Sequence, residues 1–266
     1  MRPLANITGQ GDISGSISVD QITQVYGTGA KETLAVSDVS FEVKSGSFVV
    51  LVGPSGCGKS SLLMMMAGLR NMRSGTISIG GKPITDPDPD RVGVVFQEAS
   101  LFPWLTALDN IEFPLSIRHA PRAERRQRAE AMLELVGLKG FGTRYPHELS
   151  GGMKQRVSIA RGLVQDPPVL LMDEPFAALD EQTRMTMGHE LLRIWSQTAK
   201  TVVFVTHSLT EAVYLADEVL VMSARPGRII DRLAVPLARP RTYDMMGTET
   251  FAKLRDRIWQ QIRKGE

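Results

Sequence analysis

The stretch Gly53-Pro54-Ser55-Gly56-Cys57-Gly58-Lys59-Ser60 matches the pattern G-x-x-x-x-G-K-[ST]. It follows one apolar run, residues 48–52, and precedes another, residues 62–66. In this strand, loop and helix context the pattern binds phosphate, because glycines let backbone N–H groups turn inward at a helix N-terminus. The lysine of such a loop can reach the β- and γ-phosphates of a nucleotide, and the hydroxyl of Ser60 can ligate Mg²⁺. The stretch therefore predicts an α/β fold that is built around a phosphate-binding loop.

Four apolar runs in the sequence are suited to strands that are buried on both faces: residues 48–52, 92–96, 169–172 and 202–205. Continuous apolar runs are typical of parallel sheets that helices cover, so we predict such a sheet. A glycine or a polar group follows each run; these groups are Gly53, Gln97, Asp173-Glu174 and Thr206-His207. Since ligands bind beyond the carboxyl ends of the strands in open α/β sheets, we expect the four groups at one rim.

Asp173 and Glu174 follow the third run and supply the second half of the predicted site. A carboxylate at a strand end suits Mg²⁺, which takes a few carboxylates together with water and phosphate oxygens. Glu174 is placed to orient or deprotonate an attacking water. The alternative is an ordinary solvated strand end, but a phosphate loop in the same chain favours the functional interpretation.

The segment Leu149-Ser150-Gly151-Gly152-Met153-Lys154-Gln155-Arg156 predicts the start of another helix. Ser150 is a good N-cap, and the two glycines expose backbone N–H groups at the positive end of the helix dipole. Taken alone, the segment is an ordinary capped helix start. Beside Lys59 and Glu174, it is interpreted as a second phosphate-binding surface.

The other parts of the chain surround this core. Residues 1–16 are rich in glycine and serine, and we expect a flexible tail there. Apolar residues alternate between residues 17 and 43, which predicts an antiparallel sheet. A helical insertion is expected over about residues 98–160, with Pro121 at the start of one helix, and a C-terminal extension over residues 231–266 contains a predicted amphipathic helix.

The composition excludes several classes of protein. Lys and Arg number 31 and Asp and Glu number 29, so the net charge of +2 gives no electrostatic case for nucleic-acid binding. A single cysteine excludes an internal disulfide framework. The first six residues lack the apolar stretch of a secretory signal, and no apolar run approaches the roughly 18–20 residues that span a bilayer. We therefore expect a cytosolic protein whose membrane role, if any, comes through a partner.

Taken together, the motifs resemble those of ATP-binding-cassette (ABC) transporter ATPases. The phosphate loop, Gln97, residues 149–156, Asp173-Glu174, Ala178-Leu179-Asp180 and His207 occur in that family's order and spacing, over about residues 17–230. The resemblance implies a P-loop NTPase (RecA-like) core in an ATPase domain over residues 17–230, with an antiparallel β subdomain and an inserted α-helical subdomain. It also implies a homodimer that binds ATP between its subunits, with Ser150 and Gly152 of one facing the phosphate held by the other. The motifs alone would equally fit an arrangement within one chain.

The same resemblance implies a role for individual side chains. Tyr26 would stack on adenine, although a plain strand tyrosine is the alternative. Gln97 would sense Mg²⁺ and the attacking water, His207 would contact the γ-phosphate, and Asp180 would lie at the dimer seam. The catalytic candidates are Glu174, His207, Gln97 and Lys59; the nucleotide-binding candidates are Tyr26, Gly53, Pro54, Ser55, Gly56, Cys57, Gly58, Lys59, Ser60, Ser61, Ser150, Gly151, Gly152 and Asp180; the metal ligands are Ser60, Gln97 and Asp173.

Further segments resemble the ATPases of bacterial importers for nitrate, sulfonates, taurine and bicarbonate. They are residues 101–111, residues 224–229 (Ala-Arg-Pro-Gly-Arg-Ile) and residues 173–180, where Ala177 replaces the glycine usual in that group. The resemblance implies permease partners, an indirect link to a substrate-binding protein, and a peripheral position on the inner face of the cell membrane. An efflux-type ABC ATPase and a P-loop small-molecule kinase are the alternatives.

Phe102, Pro103 and Trp104 form a bulky, mainly apolar group shortly after Gln97. We predict that they line a groove that receives a permease helix, because aromatic residues dominate interface energies. A local core contact is the alternative.

Cys57 is the only thiol of the chain. Lys59 and the following helix N-terminus are expected to lower its pKa and raise its reactivity. An inward-pointing, inert side chain is the alternative.

Overall fold

The computed structural model describes residues 14–27, 29 and 32–265. Its strands are β1 (Ile17–Tyr26), β2 (Thr33–Val43), β3 (Phe48–Val52), β4 (Ser74–Ile79), β5 (Lys82–Pro83), β6 (Val92–Val95), β7 (Val169–Asp173), β8 (Thr201–Thr206), β9 (Glu218–Met222) and β10 (Ile229–Ala234). Its α-helices are α1 (Lys59–Met66), α2 (Ala107–Ile117), α3 (Arg122–Leu135), α4 (Gly151–Leu163), α5 (Glu181–Thr198), α6 (Leu209–Leu215) and α7 (Glu249–Lys264). Short 3₁₀ turns lie at Pro146–Glu148 and Tyr243–Gly247.

A six-stranded sheet in the order β10-β9-β3-β8-β7-β6 forms the centre of the protein. The five strands from β9 to β6 run parallel, and only β10 is antiparallel to its neighbour. Every residue of β3 is buried, but alternate side chains enter different cores: Phe48, Val50 and Val52 on one face, Val49 and Leu51 on the other. Because both faces of these strands are buried, their sequences are unbroken apolar runs.

The antiparallel sheet and helix α1 cover one face of the central sheet. The antiparallel sheet has the order β2-β1-β4-β5, and its inward side chains, such as Ile17 and Phe41, share a core with Leu63 and Met66 of α1. The alternation of apolar residues over residues 17–43 therefore comes from strands β1 and β2, each of which buries one face. The two strands pair antiparallel, as predicted.

The remaining helices cover the opposite face. Helices α2, α3 and α4 lie between β6 and β7 in the chain, at the position of the predicted helical insertion, and their buried side chains belong to the same core as those of α5, α6 and α7. Pro121 is the N-cap of α3. In α7, Phe251, Ile258 and Ile262 are buried and Leu254 packs against them, which is the helical period seen in the sequence.

The predicted fold class is confirmed: an α/β architecture with a parallel core, an antiparallel sheet and inserted helices. Most of the expected tail, residues 1–13, lies outside the described residues, while Gly15 is buried, and a β-carbon there would lie 2.4 Å from the Thr201 hydroxyl. Position 230, where the expected ATPase domain ends, falls inside β10, so the C-terminal segment continues the sheet.

Across the described part of the chain, no helix combines the length and the apolar character that a membrane span requires.

Arg241 ties the C-terminal segment to the core. Its side chain is only 3 % exposed and donates from Nη1 to the Val213 carbonyl at 3.1 Å and from Nη2 to the Ala216 carbonyl at 2.9 Å. These carbonyls lie at the C-terminal end of α6, where a cation also opposes the negative end of the helix dipole. Burial lowers the pKa of Arg241 to about 10, which still leaves it charged at neutral pH.

We expect Arg241→Met to lower the free energy of unfolding by about 2 kcal/mol, because it removes two charge-assisted hydrogen bonds and leaves their carbonyls unpaired. Chemical denaturation at neutral pH measures the change. Arg255→Met is the matched control, since Arg255 is exposed on α7 and, among the residues that the structure describes, its side chain reaches only Asp256. Equal effects of the two substitutions would contradict the anchoring role of Arg241.

Candidate functional site

The phosphate loop connects β3 to α1, and two of its features depend on glycine and lysine. Gly58, the N-cap of α1, has φ +104°, and a β-carbon there would lie 2.7 Å from Val36 Cγ2. Lys59 is 4 % exposed, and its Nζ donates to the carbonyls of Gly53 and Pro54, each at 2.8 Å. The loop thus holds the ammonium group against its own backbone.

A pocket of about 250 Å³ opens above this loop. Its lining residues are Tyr26, Ala35, Ser55, Gly56, Gly58, Lys59, Ser60, Ser61, Glu174 and Arg225. The Tyr26 hydroxyl donates to Ser61 Oγ at 2.9 Å, and the Arg70 guanidinium lies 5.2 Å from the Tyr26 ring centroid. The pocket therefore brings the expected adenine-stacking residue and the phosphate loop together.

Ser60 and Asp173 meet at the rim of the parallel sheet. The Ser60 hydroxyl donates to Asp173 Oδ1 at 2.9 Å, although α1 and β7 are far apart in sequence. A hydroxyl and a carboxylate oxygen are both ligands that Mg²⁺ accepts together with water and phosphate oxygens, so this pair would suit a magnesium ion. Burial raises the pKa of Asp173, and the Glu174 carboxylate adds to this effect against the opposing Ser60 and Lys59, so a cation here would stabilise the charged carboxylate.

Glu174 and His207 form a second pair at the same rim. Glu174 Oε2 lies 2.8 Å from His207 Nδ1, and the Glu174 N–H donates to the Val205 carbonyl at 3.0 Å. Glu174 has φ +43°, an unusual conformation for a residue with a side chain, so local structure holds it in a defined orientation. Its side chain is 20 % exposed and reaches water while it remains fixed by the histidine.

Three other predicted segments lie away from this pocket. Ser150 is the N-cap of α4 and accepts from the Met153 N–H at 3.3 Å. Asp180 is the N-cap of α5, and its hydrogen bonds with Thr183 lower its pKa. Gln97 is exposed just after β6 and does not line the pocket.

Ser150 and Gly152 line a separate pocket beside the start of α5. That pocket also contains Thr183 and Met187, and it shares no lining residue with the pocket above the phosphate loop. A β-carbon on Gly152 would lie 3.2 Å from Thr183 Cγ2, so the glycine lets α4 pack closely on α5. Within the described part of one chain, the two phosphate-binding surfaces of the sequence therefore do not form a single site.

Arg225 is a pocket residue that the sequence analysis did not assign. Its Nη2 donates to the Gly56 carbonyl at 3.2 Å. Arg225 lies in the segment 224–229, which served only to indicate the importer group. Residues 56 and 225 are far apart along the chain, so no sequence pattern indicates their contact.

The comparisons with known proteins agree with this geometry. Residues 36–177 match the sequence family described as ABC transporter. An aliphatic sulfonates import ATP-binding protein of Bacillus cereus is 41% identical and covers 94% of this chain and 97% of its own. A taurine import ATP-binding protein of Rhizobium johnstonii is 47% identical over 84% of this chain and 87% of its own. Among solved structures, a dimeric ATP-binding cassette in a post-hydrolysis state with ADP and Pi is similar at a TM-score of 0.73 and 32% identity, covering 84% of this chain and all of that one.

The expectation that Cys57 has a lowered pKa is wrong. Cys57 is fully buried, and burial raises the pKa of its thiol more strongly than Lys59, 3.8 Å away, lowers it. The neutral thiol points into the core that α1 shares with the antiparallel sheet. The alternative of an inward, inert side chain is therefore the correct one.

We expect Cys57 in the native protein to react with a maleimide about 100-fold more slowly than in denaturant, because labelling requires the loop to open. Mass spectrometry of the single cysteine over time measures both rates. Rapid, complete labelling of the native chain would contradict the buried position.

Proposed function

The chain belongs to the ABC transporter family of ATP-binding proteins, and we propose that it is the ATP-hydrolysing subunit of a bacterial importer for a small anion of the sulfonate, taurine or nitrate kind. The observation that carries the proposal is the convergence of Lys59, the Ser60–Asp173 pair and the Glu174–His207 pair at one rim of the sheet. The import names of relatives that align with most of the chain favour import over efflux.

The reaction is attack of water on the γ-phosphorus of ATP, with cleavage of the bond to the bridging oxygen. Backbone N–H groups of the phosphate loop and the ammonium of Lys59 hold the phosphates and oppose the charge that develops on them. Ser60 and Asp173 would hold Mg²⁺, with Gln97 as a further candidate ligand after closure, and the ion would supply positive charge to the phosphate oxygens. Most of the catalysis is positioning and electrostatic stabilisation, because phosphoryl transfer demands little covalent work from the protein.

Glu174 is proposed as the general base. Glu174 follows Asp173 in sequence and lines the pocket, and its carboxylate contacts the ring of His207. The histidine holds the carboxylate in one orientation, so that the other oxygen can accept the proton of the attacking water. His207 itself is half-exposed, which leaves its ring available to the γ-phosphate.

The complete site is proposed to form between two copies of the chain. Ser150 and Gly152 line a pocket of their own at the start of α4, and Gly151 beside them is exposed. The N-terminus of a helix binds anions through its backbone N–H groups. Placed against the phosphate loop of the partner subunit, this surface would close the pocket on the nucleotide, with Asp180 near the seam. Support comes from the separation of the two pockets in one chain and from the dimeric form of the similar cassette.

The proposed permease contact is an aromatic surface that consists of Phe102, Trp104 and Phe113. The Phe102 ring centroid lies 5.5 Å from that of Trp104 and 4.5 Å from that of Phe113, and Trp104 is 70 % exposed. The buried amide of Asn110 fixes the loop, since its Oδ1 accepts from the Phe102 N–H at 2.8 Å and its Nδ2 contacts the carbonyls of Phe102, Leu105 and Thr106. A rigidly held, exposed tryptophan is an anchor for a protein partner.

Through that contact, the chain would lie on the inner face of the cell membrane, bound to permease subunits. A substrate-binding protein would act on the other side of the permease and touch this chain only indirectly. The transport test uses the chain reconstituted in vesicles together with its permease and substrate-binding protein. ATP-dependent uptake of a radiolabelled sulfonate, taurine or nitrate supports the proposal. Transfer of the γ-phosphoryl group to a small-molecule acceptor, with no release of inorganic phosphate when the acceptor is left out, would point to a kinase.

We expect Glu174→Gln to retain ATP binding and to lower turnover by about 10²–10⁴-fold, because the amide keeps the size and hydrogen bonding but cannot accept a proton. Its ATP-bound dimer should persist long enough to be isolated by size-exclusion chromatography. Lys59→Ala is the contrasting variant and should weaken ATP binding itself. Near-normal phosphate release by Glu174→Gln would show that another group is the base.

In the reconstituted transporter, Trp104→Ala should reduce ATP-dependent uptake by about tenfold, because it removes a central aromatic anchor of the proposed contact. The ATPase activity of the isolated subunit should change less than twofold. Trp259→Ala is the matched control, since Trp259 is 52 % exposed on α7 and outside the aromatic surface. Equal losses of uptake and of isolated ATPase activity would favour a structural role for Trp104.

A further inference from the structure

The turn between β9 and β10 is docked against the phosphate loop. The Gly227 N–H donates to the Ala35 carbonyl at 2.9 Å, and the Ser37 N–H donates to the Gly227 carbonyl at 3.0 Å. A β-carbon on Gly227 would lie 2.0 Å from the carbonyl oxygen of Cys57, so only glycine permits this approach. The turn is thus positioned by backbone hydrogen bonds to β2 and by its close approach to the phosphate loop at Cys57.

Hydrogen bonds within the turn give it a defined shape. The Ser223 hydroxyl is 3.0 Å from the Pro226 carbonyl and accepts from the Arg228 N–H, also at 3.0 Å. The Ser223 N–H donates to the Arg228 carbonyl at 2.9 Å. The side chain between these anchors, Arg225, is therefore delivered to a fixed place rather than carried on a free loop.

That place is the wall of the proposed nucleotide pocket. Arg225 lines the pocket together with Ser55, Gly56, Lys59 and Ser60, and its Nη2 contacts the Gly56 carbonyl at 3.2 Å. A guanidinium group has five N–H donors. Toward the described residues, the Arg225 side chain makes this one hydrogen bond and no ion pair, so most of its donors remain available to an anion.

The other charged groups that line the pocket, Lys59 and Glu174, are already engaged, and so is the neighbouring Asp173. Lys59 donates to two loop carbonyls, Asp173 accepts from Ser60, and Glu174 contacts His207. Arg225 is exposed, has no carboxylate partner among the described residues, and lies at the edge of the phosphate loop. Its guanidinium group can therefore form charge-assisted hydrogen bonds with a polyphosphate.

We propose that Arg225 is a second cationic ligand of the nucleotide's phosphate chain, brought to the pocket by the turn between β9 and β10. The inference rests on the proposed function, since it assumes that the pocket above the phosphate loop binds the nucleotide. It adds a contact from a segment to which the sequence analysis gave no role in nucleotide binding. Arg225 would strengthen ground-state binding of ADP and ATP alike, because both carry the phosphates next to the ribose.

Arg228 provides a matched control in the same turn. It is exposed like Arg225 and has the same charge. Within the described ranges, its side chain donates only to the Ser37 hydroxyl, from Nη2 at 3.3 Å. It does not line the pocket. Removal of either arginine changes the net charge of the chain by the same amount, so any general electrostatic effect is common to both variants.

The experiment is isothermal titration calorimetry of ADP and of ATP with the purified chain. We expect Arg225→Ala to weaken both affinities about tenfold, the loss typical of one charge-assisted hydrogen-bonding group. Arg225→Lys should recover part of the affinity as a point charge, and Arg228→Ala should stay within about twofold of the native value. Added salt should narrow the difference between native and Arg225→Ala, because screening weakens an exposed charge contact.

Unchanged ADP affinity in Arg225→Ala would overturn the inference. If ATP hydrolysis nevertheless fell, the arginine would belong to the contact between subunits and not to the nucleotide. Equal losses of nucleotide affinity in Arg225→Ala and Arg228→Ala would also overturn it, because the change in net charge alone would then explain both losses. A native chain that bound neither ADP nor ATP would overturn the proposed function as well. If the native chain binds both nucleotides, an unchanged affinity in the Arg225 variants overturns only this inference.

Discussion

The burial of both faces of the parallel sheet is the constraint on which the rest of the structure depends. Strands covered by α1 and the antiparallel sheet on one side, and by helices on the other, have no solvated face on which to carry polar side chains. Only the ends of the strands reach water. Gly53, Asp173-Glu174 and Thr206-His207 follow or end three such strands, and because the strands are parallel these groups meet at one rim. The chemistry of the site is a consequence of how the core is covered.

The rim combines groups that would repel one another without their neighbours. Asp173 and Glu174 are adjacent carboxylates, and the first is buried. Ser60 donates to one and His207 contacts the other, so each carboxylate is held apart in its own hydrogen-bonding environment. The two side chains can therefore take different roles, one toward a metal ion and one toward water.

Much of this arrangement was predictable from the sequence, for reasons that are local. The apolar runs at β3, β6, β7 and β8 and the pattern around Lys59 are contiguous in the chain, so composition and spacing reveal them. Strands β9 and β10 were not predicted, although residues 219–222 of β9 are an unbroken apolar run and β10 continues the sheet past position 230. The direction of the Cys57 side chain depends on packing against the antiparallel sheet, which no local pattern encodes, and the distance between the Ser150 and Lys59 surfaces depends on the tertiary fold.

The Arg225 contact was not predicted either, because it also depends on the tertiary fold. Residues 56 and 225 become neighbours only because β9 lies next to β3 in the sheet and the following turn folds back across the phosphate loop. The signal in the sequence was Gly227, whose role is a backbone approach too close for any other residue. A glycine by itself does not identify the segment that it approaches.

The anchoring of the loop by Asn110 has a mechanical consequence. Its amide binds the backbone of Phe102, Leu105 and Thr106, and on the other side Arg161 of α4 donates to the carbonyls of Ala99 and Ser100 at 2.7 and 2.8 Å. The segment that joins the rim of the sheet to Trp104 is therefore held in place by hydrogen bonds at two positions. A displacement of the tryptophan loop would therefore act on α2 and α4 together, and α4 begins at Ser150. The proposed permease contact and the proposed second phosphate-binding surface are thus joined through hydrogen bonds to both helices and not through a free loop.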